Sequence, residues 1–353
     1  MPTKARLAWV DAARAFSIVA IVLVHIHLWL LPPIEAAYPE TGIWGRLISI
    51  TGAFRLPVLF ALSGFLVAER VRSGWRERRN LTRILNSAYL YVIWLAIYAL
   101  LSTKMPGSQP VGVPWEAFLQ QLTLPQTPLW FVMFLAIHMA VITTCARLHP
   151  AVVLTATAIL AWFSIVATFP PYFEMVQRGL YYLFFFALGV YSKELLTKFA
   201  SRRGLLMRLV FAMTTNVLTT VAMEGLAIGP AYLFLILLRD VSAVLSIAAV
   251  MSLVCQFTPA SRVLGFIGKR TLPVYVMHVP MIWALMTLRD PVTPALEAPL
   301  FRMAAPLIAL ALILGTSIAL HAALRRLPLG SIFFELPRAL TTRIAPREPA
   351  PRA

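Results

Sequence analysis

Apolar residues run along this chain in long stretches, and the polar residues between them cluster in short connections. Ten stretches are long enough, or nearly so, to cross a bilayer: roughly 9–31, 46–68, 84–101, 129–146, 150–169, 175–192, 208–228, 231–257, 271–288 and 304–323. A helix rises about 1.5 Å per residue, so about 20 apolar residues cover the hydrocarbon core. Lipid offers the backbone no hydrogen-bond partners, so such stretches fold as helices. The pattern predicts an all-α polytopic integral membrane protein with about ten transmembrane helices. The stretch 231–257 is long and interrupted by Arg239 and Asp240, which makes it the least regular of the ten. The first stretch does not read as a cleaved leader, because it holds Arg14 and lacks a small-residue cleavage site after Trp29.

Charge then orients the chain. The connection ERVRSGWRERRNLTR carries Arg70, Arg72, Arg76, Arg78, Arg79 and Arg83, which places it in the cytoplasm by the positive-inside rule. Ten alternating spans bring Lys4, Arg6, Arg147, the 193–208 group, Arg262, Lys269, Arg270, Arg325 and Arg326 to the same face, with both termini cytoplasmic. The opposite connections hold only isolated cations: Arg46, Lys104, Arg289 and Arg302. This distribution accounts for a formal net charge of +17 without a nucleic-acid partner. A composition 60% hydrophobic excludes a soluble domain. The two cysteines, Cys145 and Cys255, support neither a disulfide scaffold nor a thiolate metal site. Residues 1–327 read as one transmembrane domain and 328–353, rich in proline and arginine, as a loosely ordered cytoplasmic tail. The loop 102–128 carries Pro106, Pro110, Pro114, Pro125, Pro128, Trp115 and Trp130. It is either part of a binding mouth or a stiff connector in the interfacial aromatic belt.

Ionisable groups at membrane depth are costly and mark candidate chemistry. Arg14 and His25 share the first stretch, eleven residues apart. Eleven helical steps turn about 1100° and rise about 16 Å, so both side chains leave the same face at two depths. Asp11 lies one turn before Arg14. A neutral imidazole at position 25 suits general-base work, since its ordinary pKa is near neutrality. His27 faces elsewhere, so a two-histidine metal site is not expected. Further candidates are Arg55, Ser63 with Gly64, the i,i+4 pair Glu174–Arg178, and His278 inside the ninth stretch. Lys269 and Arg270 stand at the start of that stretch, where they would attract phosphates. Glycine-rich nucleotide, HExxH and GxSxG motifs do not occur.

Several separated motifs carry a family resemblance. WVDAARAFSIVAIVLVHIH, LPVLFALSGFLV, TPLWFVMFLAIH and LGFIGKRTLPVYVMHVP appear in order along the chain. Together they resemble the membrane-bound acyltransferase-3 family, the O-acyltransferases that modify bacterial surface glycans. The resemblance rests on Asp11, Arg14 and His25, on Ser63–Gly64–Phe65, on Leu129–Trp130–Phe131, and on Gly268, Tyr275 and His278. One departure is Thr271–Leu272–Pro273, where many members read Ser–Tyr–Ser. The resemblance implies a stand-alone member without a fused hydrolase-like domain, in the bacterial cytoplasmic (inner) membrane. It implies transfer of an acyl group from cytoplasmic acyl-coenzyme A, used as cosubstrate with no tightly bound cofactor, to a glycan hydroxyl on the other face. Acetyl is the commonest donor group among relatives, and succinyl is the alternative. Arg14 would position the thioester or a coenzyme A phosphate, and His25 would deprotonate the acceptor or receive the acyl group. Lys269 and Arg270 would assist donor binding, and Asp11, Arg55, Ser63, Trp130, Arg178 and His278 would line the substrate path. The competing reading is a transporter or flippase for a glycan or anionic small molecule, although no convincing inverted halves are visible.

Overall fold

The computed structural model describes residues 7–102, 117–288 and 293–344. Lys4, Arg6, Lys104, Arg289 and the central part of the 102–128 loop, with Pro106, Pro110, Pro114 and Trp115, lie outside the described residues. The principal helices are α1 (Ala8–Trp29), α2 (Leu56–Arg72), α3 (Arg78–Ser102), α4 (Trp130–Thr144), α5 (Pro150–Val166), α6 (Glu174–Tyr191), α7 (Leu205–Met223), α8 (Pro230–Val254), α9 (Thr258–Gly268), α10 (Thr271–Thr287) and α11 (Pro299–Leu324). No strand occurs among the described residues. Among the described residues seven helical segments are long and apolar enough to cross a membrane, and α5 and α10 are shorter apolar helices. The protein is an all-α polytopic membrane protein.

Each of the ten apolar stretches contains a helix, with three local differences. The stretch 46–68 is divided into a helix Ile43–Ile50, a tight turn Gly52–Phe54, and α2. Pro57 therefore sits in the first turn of α2, where its missing N–H has no intrahelical acceptor to serve. Arg239 and Asp240 do not interrupt α8, which runs unbroken from Pro230 to Val254. The two pair with each other, Arg239 Nη2 standing 2.8 Å from Asp240 Oδ1, so the charges neutralise in place. Third, α9 was not among the ten stretches. It is too short to span, and its sequence TPASRVLGFIG mixes polar and apolar positions.

The chain divides into two compact units, one formed by 1–62 with 192–319 and the other by 63–191 with 320–353. In the first unit α1 is central, packing against α8, α9, α10 and the Ile43–Ile50 helix, while α7 pairs with α8. Ala12, Ala13, Ala15 and Ala20 are buried on α1, and small side chains let neighbouring backbones approach closely. The closest approach is at Gly268, where an added Cβ would overlap the backbone carbonyl of Asp11. Gly268→Ala is expected to push α9 off α1 at a cost of roughly 1–3 kcal/mol. A thermal midpoint lowered by several degrees in detergent would show it. Gly265→Ala, whose added methyl meets open space, should leave the midpoint in place.

In the second unit α3 packs on α4, α5 on α6, and α4 on α6. Gly64 lets α2 rest on the backbone of α6 at Phe186, where a Cβ would collide with the carbonyl. Of the expected tail 328–353, residues 328–344 are described. They form two short helices, Gly330–Phe333 and Arg338–Ile344, which pack on α3. Trp94 Nε1 donates to the Phe333 carbonyl at 2.7 Å and Tyr89 Oη to the Ile332 carbonyl at 2.9 Å. Phe334 is buried, its ring 4.5 Å from that of His321.

Candidate active site

Arg14 and His25 both meet α10 within the first unit. Arg14 Nη2 donates to Thr271 Oγ1 at 2.6 Å, and His25 Nδ1 lies 3.2 Å from His278 Nε2. The contact near the start of α1 is to the start of α10, and the later contact is to a later residue, so the two helices run in the same direction. The same-face spacing of Arg14 and His25 is thus used in full, one partner helix serving both.

Backbone carbonyls settle which nitrogens of the histidine pair carry protons, because a carbonyl can only accept. His278 Nδ1 stands 2.5 Å from the Tyr275 carbonyl and must donate to it. In the neutral ring His278 Nε2 then holds the lone pair and faces His25. His25 Nδ1 stands 2.9 Å from the Ile21 carbonyl and donates to it as well, sharing its hydrogen with His278 Nε2. Neutral His25 therefore has its basic lone pair on Nε2. His278 is fully buried and His25 half-buried, with the Trp29 ring 4.8 Å from the His25 ring. His27 turns away, its Nδ1 3.2 Å from Glu35 Oε1.

Toward the start of α1, a cavity of about 550 Å³ is lined by Asp11, Ser261, Arg262, Gly265, Phe266, Lys269 and Arg270, with Ala8 at its edge. Three cations face one carboxylate there, so it favours an anion. The Arg270 guanidinium lies 3.8 Å from the Phe266 ring centroid, which fixes it over an aromatic face. Arg262, Ser261 and Phe266 were not among the sequence candidates. They come from α9, the helix that the apolar pattern does not reveal.

Two further residues join the site. Thr271, noted in the sequence only as a departure from the family pattern, supplies the hydroxyl that Arg14 binds. Ser17 lies three residues past Arg14 and eight before His25, fully buried, with no hydrogen-bond partner for its Oγ among the described residues. Its place one turn past Arg14 was the available signal. The hydrogen bond from Arg14 to Thr271 is charge-assisted. Thr271→Val is expected to lower kcat/KM for the donor about tenfold by freeing Arg14 to swing, whereas Thr271→Ser should stay near wild type. Steady-state kinetics of the two variants would test it.

The other candidates are distributed as follows. Arg55 is half-buried in the first unit, at the turn leading into α2. Ser63, Trp130 and Arg178 belong to the second unit. Trp130 is buried at the start of α4, its ring 5.8 Å from that of Tyr182. Arg178 forms the expected pair with Glu174 at 2.5 Å, and both side chains are about half exposed. Among the described residues no group of three His, Cys, Asp or Glu side chains is placed to hold a metal ion.

The family model described as an acyltransferase domain, that of the acyltransferase-3 family, matches residues 7–324. The chain belongs to the acyltransferase-3 family. The match begins ahead of α1 and ends with α11, so every helix of both units except the two short ones after α11 falls within the domain. No curated protein and no solved structure matches the chain. Membership makes the protein a membrane acyltransferase, and the pairing of α1 with α10 lies inside the acyltransferase domain.

Proposed function

We propose that this membrane acyltransferase is an O-acyltransferase of the bacterial cytoplasmic membrane. It takes an acyl group, acetyl foremost, from cytoplasmic acyl-coenzyme A and delivers it to a hydroxyl of an envelope or exported glycan. The observation that carries the reading is the commitment of His25 Nδ1 to the Ile21 carbonyl and His278 Nε2, which leaves Nε2 as the base. In the direct reaction Nε2 takes the acceptor proton while the acceptor oxygen attacks the thioester carbonyl. The carbon–sulfur bond breaks, and the coenzyme A thiolate leaves with the proton that His25 returns. The imidazolium formed in between is a stronger donor at Nδ1, so both of its acceptors stabilise it as charge develops. The same lone pair can instead form an acyl-imidazole, and label retained on the protein when acceptor is withheld distinguishes that route.

The cavity around Arg262, Lys269 and Arg270 suits the coenzyme A phosphates, and Arg14 stands between it and His25 along α1. The shared direction of α1 and α10 agrees with an odd number of crossings between them, as the ten-span arrangement requires of its first and ninth spans. Arg55, Ser63, Trp130, Arg178 and His278 remain proposed contributors to the substrate path.

Radiolabelled acetyl- or succinyl-coenzyme A supplied to the cytoplasmic side of membranes tests the reading. Label is expected in envelope glycan only when the chain is present. Glycan moved across the membrane without acquiring label from either donor would instead identify a transporter.

A further inference from the structure

We infer that the second unit carries a phosphate-binding pocket built by Arg72, Arg76 and Arg147, containing none of the acyl-transfer residues. The end of α2, the turn Gly74–Arg76 and the segment from Thr143 to Arg147 enclose a cavity of about 710 Å³. Its lining holds three guanidinium groups, the Trp75 indole and two threonines, and no carboxylate. Of the neighbouring acids, Glu77 is engaged at the backbone N–H of Arg79 at 3.1 Å, and Glu69, one turn before Arg72 on α2, is not part of the lining.

The pocket is held in shape. Gly74 has φ +66°, a left-handed conformation that glycine adopts without strain. Asn80 is fully buried, and its Nδ2 donates to the carbonyls of Arg70 at 2.8 Å and Gly74 at 2.9 Å, which locks the turn. Trp75 Nε1 donates to Thr144 Oγ1 at 3.3 Å and ties the two rims together.

Thr143 supplies the second, independent sign of a ligand. It is 1% exposed and lines the cavity, yet its Oγ1 has no hydrogen-bond partner among the described residues. A threonine within a helix ordinarily donates back to the carbonyl four residues earlier, as Thr144 does to Ala140 at 3.0 Å. Thr143 forgoes that bond, which leaves a buried donor for an incoming oxygen. The positive-inside rule explains arginines on one face of the membrane. It does not explain three of them converging on a cavity that lacks a carboxylate and keeps a buried hydroxyl unsatisfied. Guanidinium forks match the oxygens of a phosphate, and a phosphate oxygen accepts equally from a hydroxyl.

Such a phosphate belongs either to a lipid headgroup or to a soluble phosphate compound, and two probes separate these sources. The intact protein in neutral detergent is titrated with pyrophosphate, and the protein in nanodiscs is scored for retained phosphatidylglycerol by native mass spectrometry. Saturable binding of either probe is expected, lipid alone indicating a headgroup site. Combining Arg72→Gln with Arg147→Gln should weaken binding about a hundredfold, roughly tenfold for each charge-assisted contact. Thr143→Val should weaken it several-fold, and Arg202→Gln with Arg203→Gln, two exposed cations elsewhere, should change nothing. Should the double variant fail to fold, Arg76→Gln, at an exposed position, is read in its place. Binding of neither probe by the wild type, or equal binding by the pocket variants, would overturn the inference. Equal weakening by the Arg202 and Arg203 variant would also overturn it, reducing the effect to bulk charge.

Discussion

Membranes carrying His25→Ala should transfer acyl groups about a thousandfold more slowly than wild type, at matched protein levels. The magnitude follows from removing a positioned general base, which is worth about 10²–10⁴ in rate. It falls on kcat rather than on KM for the donor, because the cations of the 550 Å³ cavity lie near the opposite end of α1. Folding is not expected to suffer, since His25 is half-buried and its replacement by alanine removes no apolar core side chain. His27→Ala is the matched control. That side chain turns to Glu35 at 3.2 Å, and its loss should leave transfer within about twofold of wild type. Near-normal transfer by His25→Ala, or equal losses from both variants, would remove His25 from the chemistry.

The sequence made His25 legible because a helix converts spacing into direction. Eleven residues put Arg14 and His25 on one face whatever packs against them, and burial of ionisable groups in an apolar run marks them without a partner being known. Helix positions were legible for a related reason, since lipid leaves a long apolar run no alternative to helix. What spacing could not supply was the partner. Thr271 meets Arg14 across 257 residues of chain, and no periodicity within either helix encodes that contact. The α9 helix escaped because eleven residues of mixed polarity look like a connection, although Gly268 seats it directly on α1. Arg239 and Asp240 misled in the opposite direction. Adjacent opposite charges look like an interruption, yet pairing with one another lets α8 continue through them. Ser63 and Trp130 were singled out by the motifs that carry the family resemblance and Arg178 by its charge and its i,i+4 spacing from Glu174, so no helix spacing ties them to Arg14 and His25. They belong to the second unit, and Arg178 already has its carboxylate partner in Glu174.

His278 tests whether the histidine pair works as a unit. Its Nε2 accepts from His25 Nδ1, and it can do so only while its own Nδ1–H is held by the Tyr275 carbonyl. Pro280, two residues further along α10, lacks the N–H that would otherwise bond the Val276 carbonyl, so the helix ladder is already open beside the pair. Replacing His278 by leucine removes this acceptor and leaves the Ile21 carbonyl to hold the proton on His25 Nδ1. The ring is then less firmly fixed in the tautomer with the base on Nε2, and the imidazolium loses a stabilising contact. His278→Leu should therefore lower kcat about a hundredfold with KM for the donor unchanged. His278→Gln should recover most of the loss, because its amide oxygen can accept from Nδ1 within a similar reach. A purely structural role predicts another order, in which leucine, apolar and suited to a fully buried position, is tolerated at least as well as glutamine. Kinetics of the two variants, with thermal midpoints measured alongside, decide between these roles. Glutamine faster than leucine makes His278 the positioning residue for His25, and the reverse order makes it a packing residue of α10.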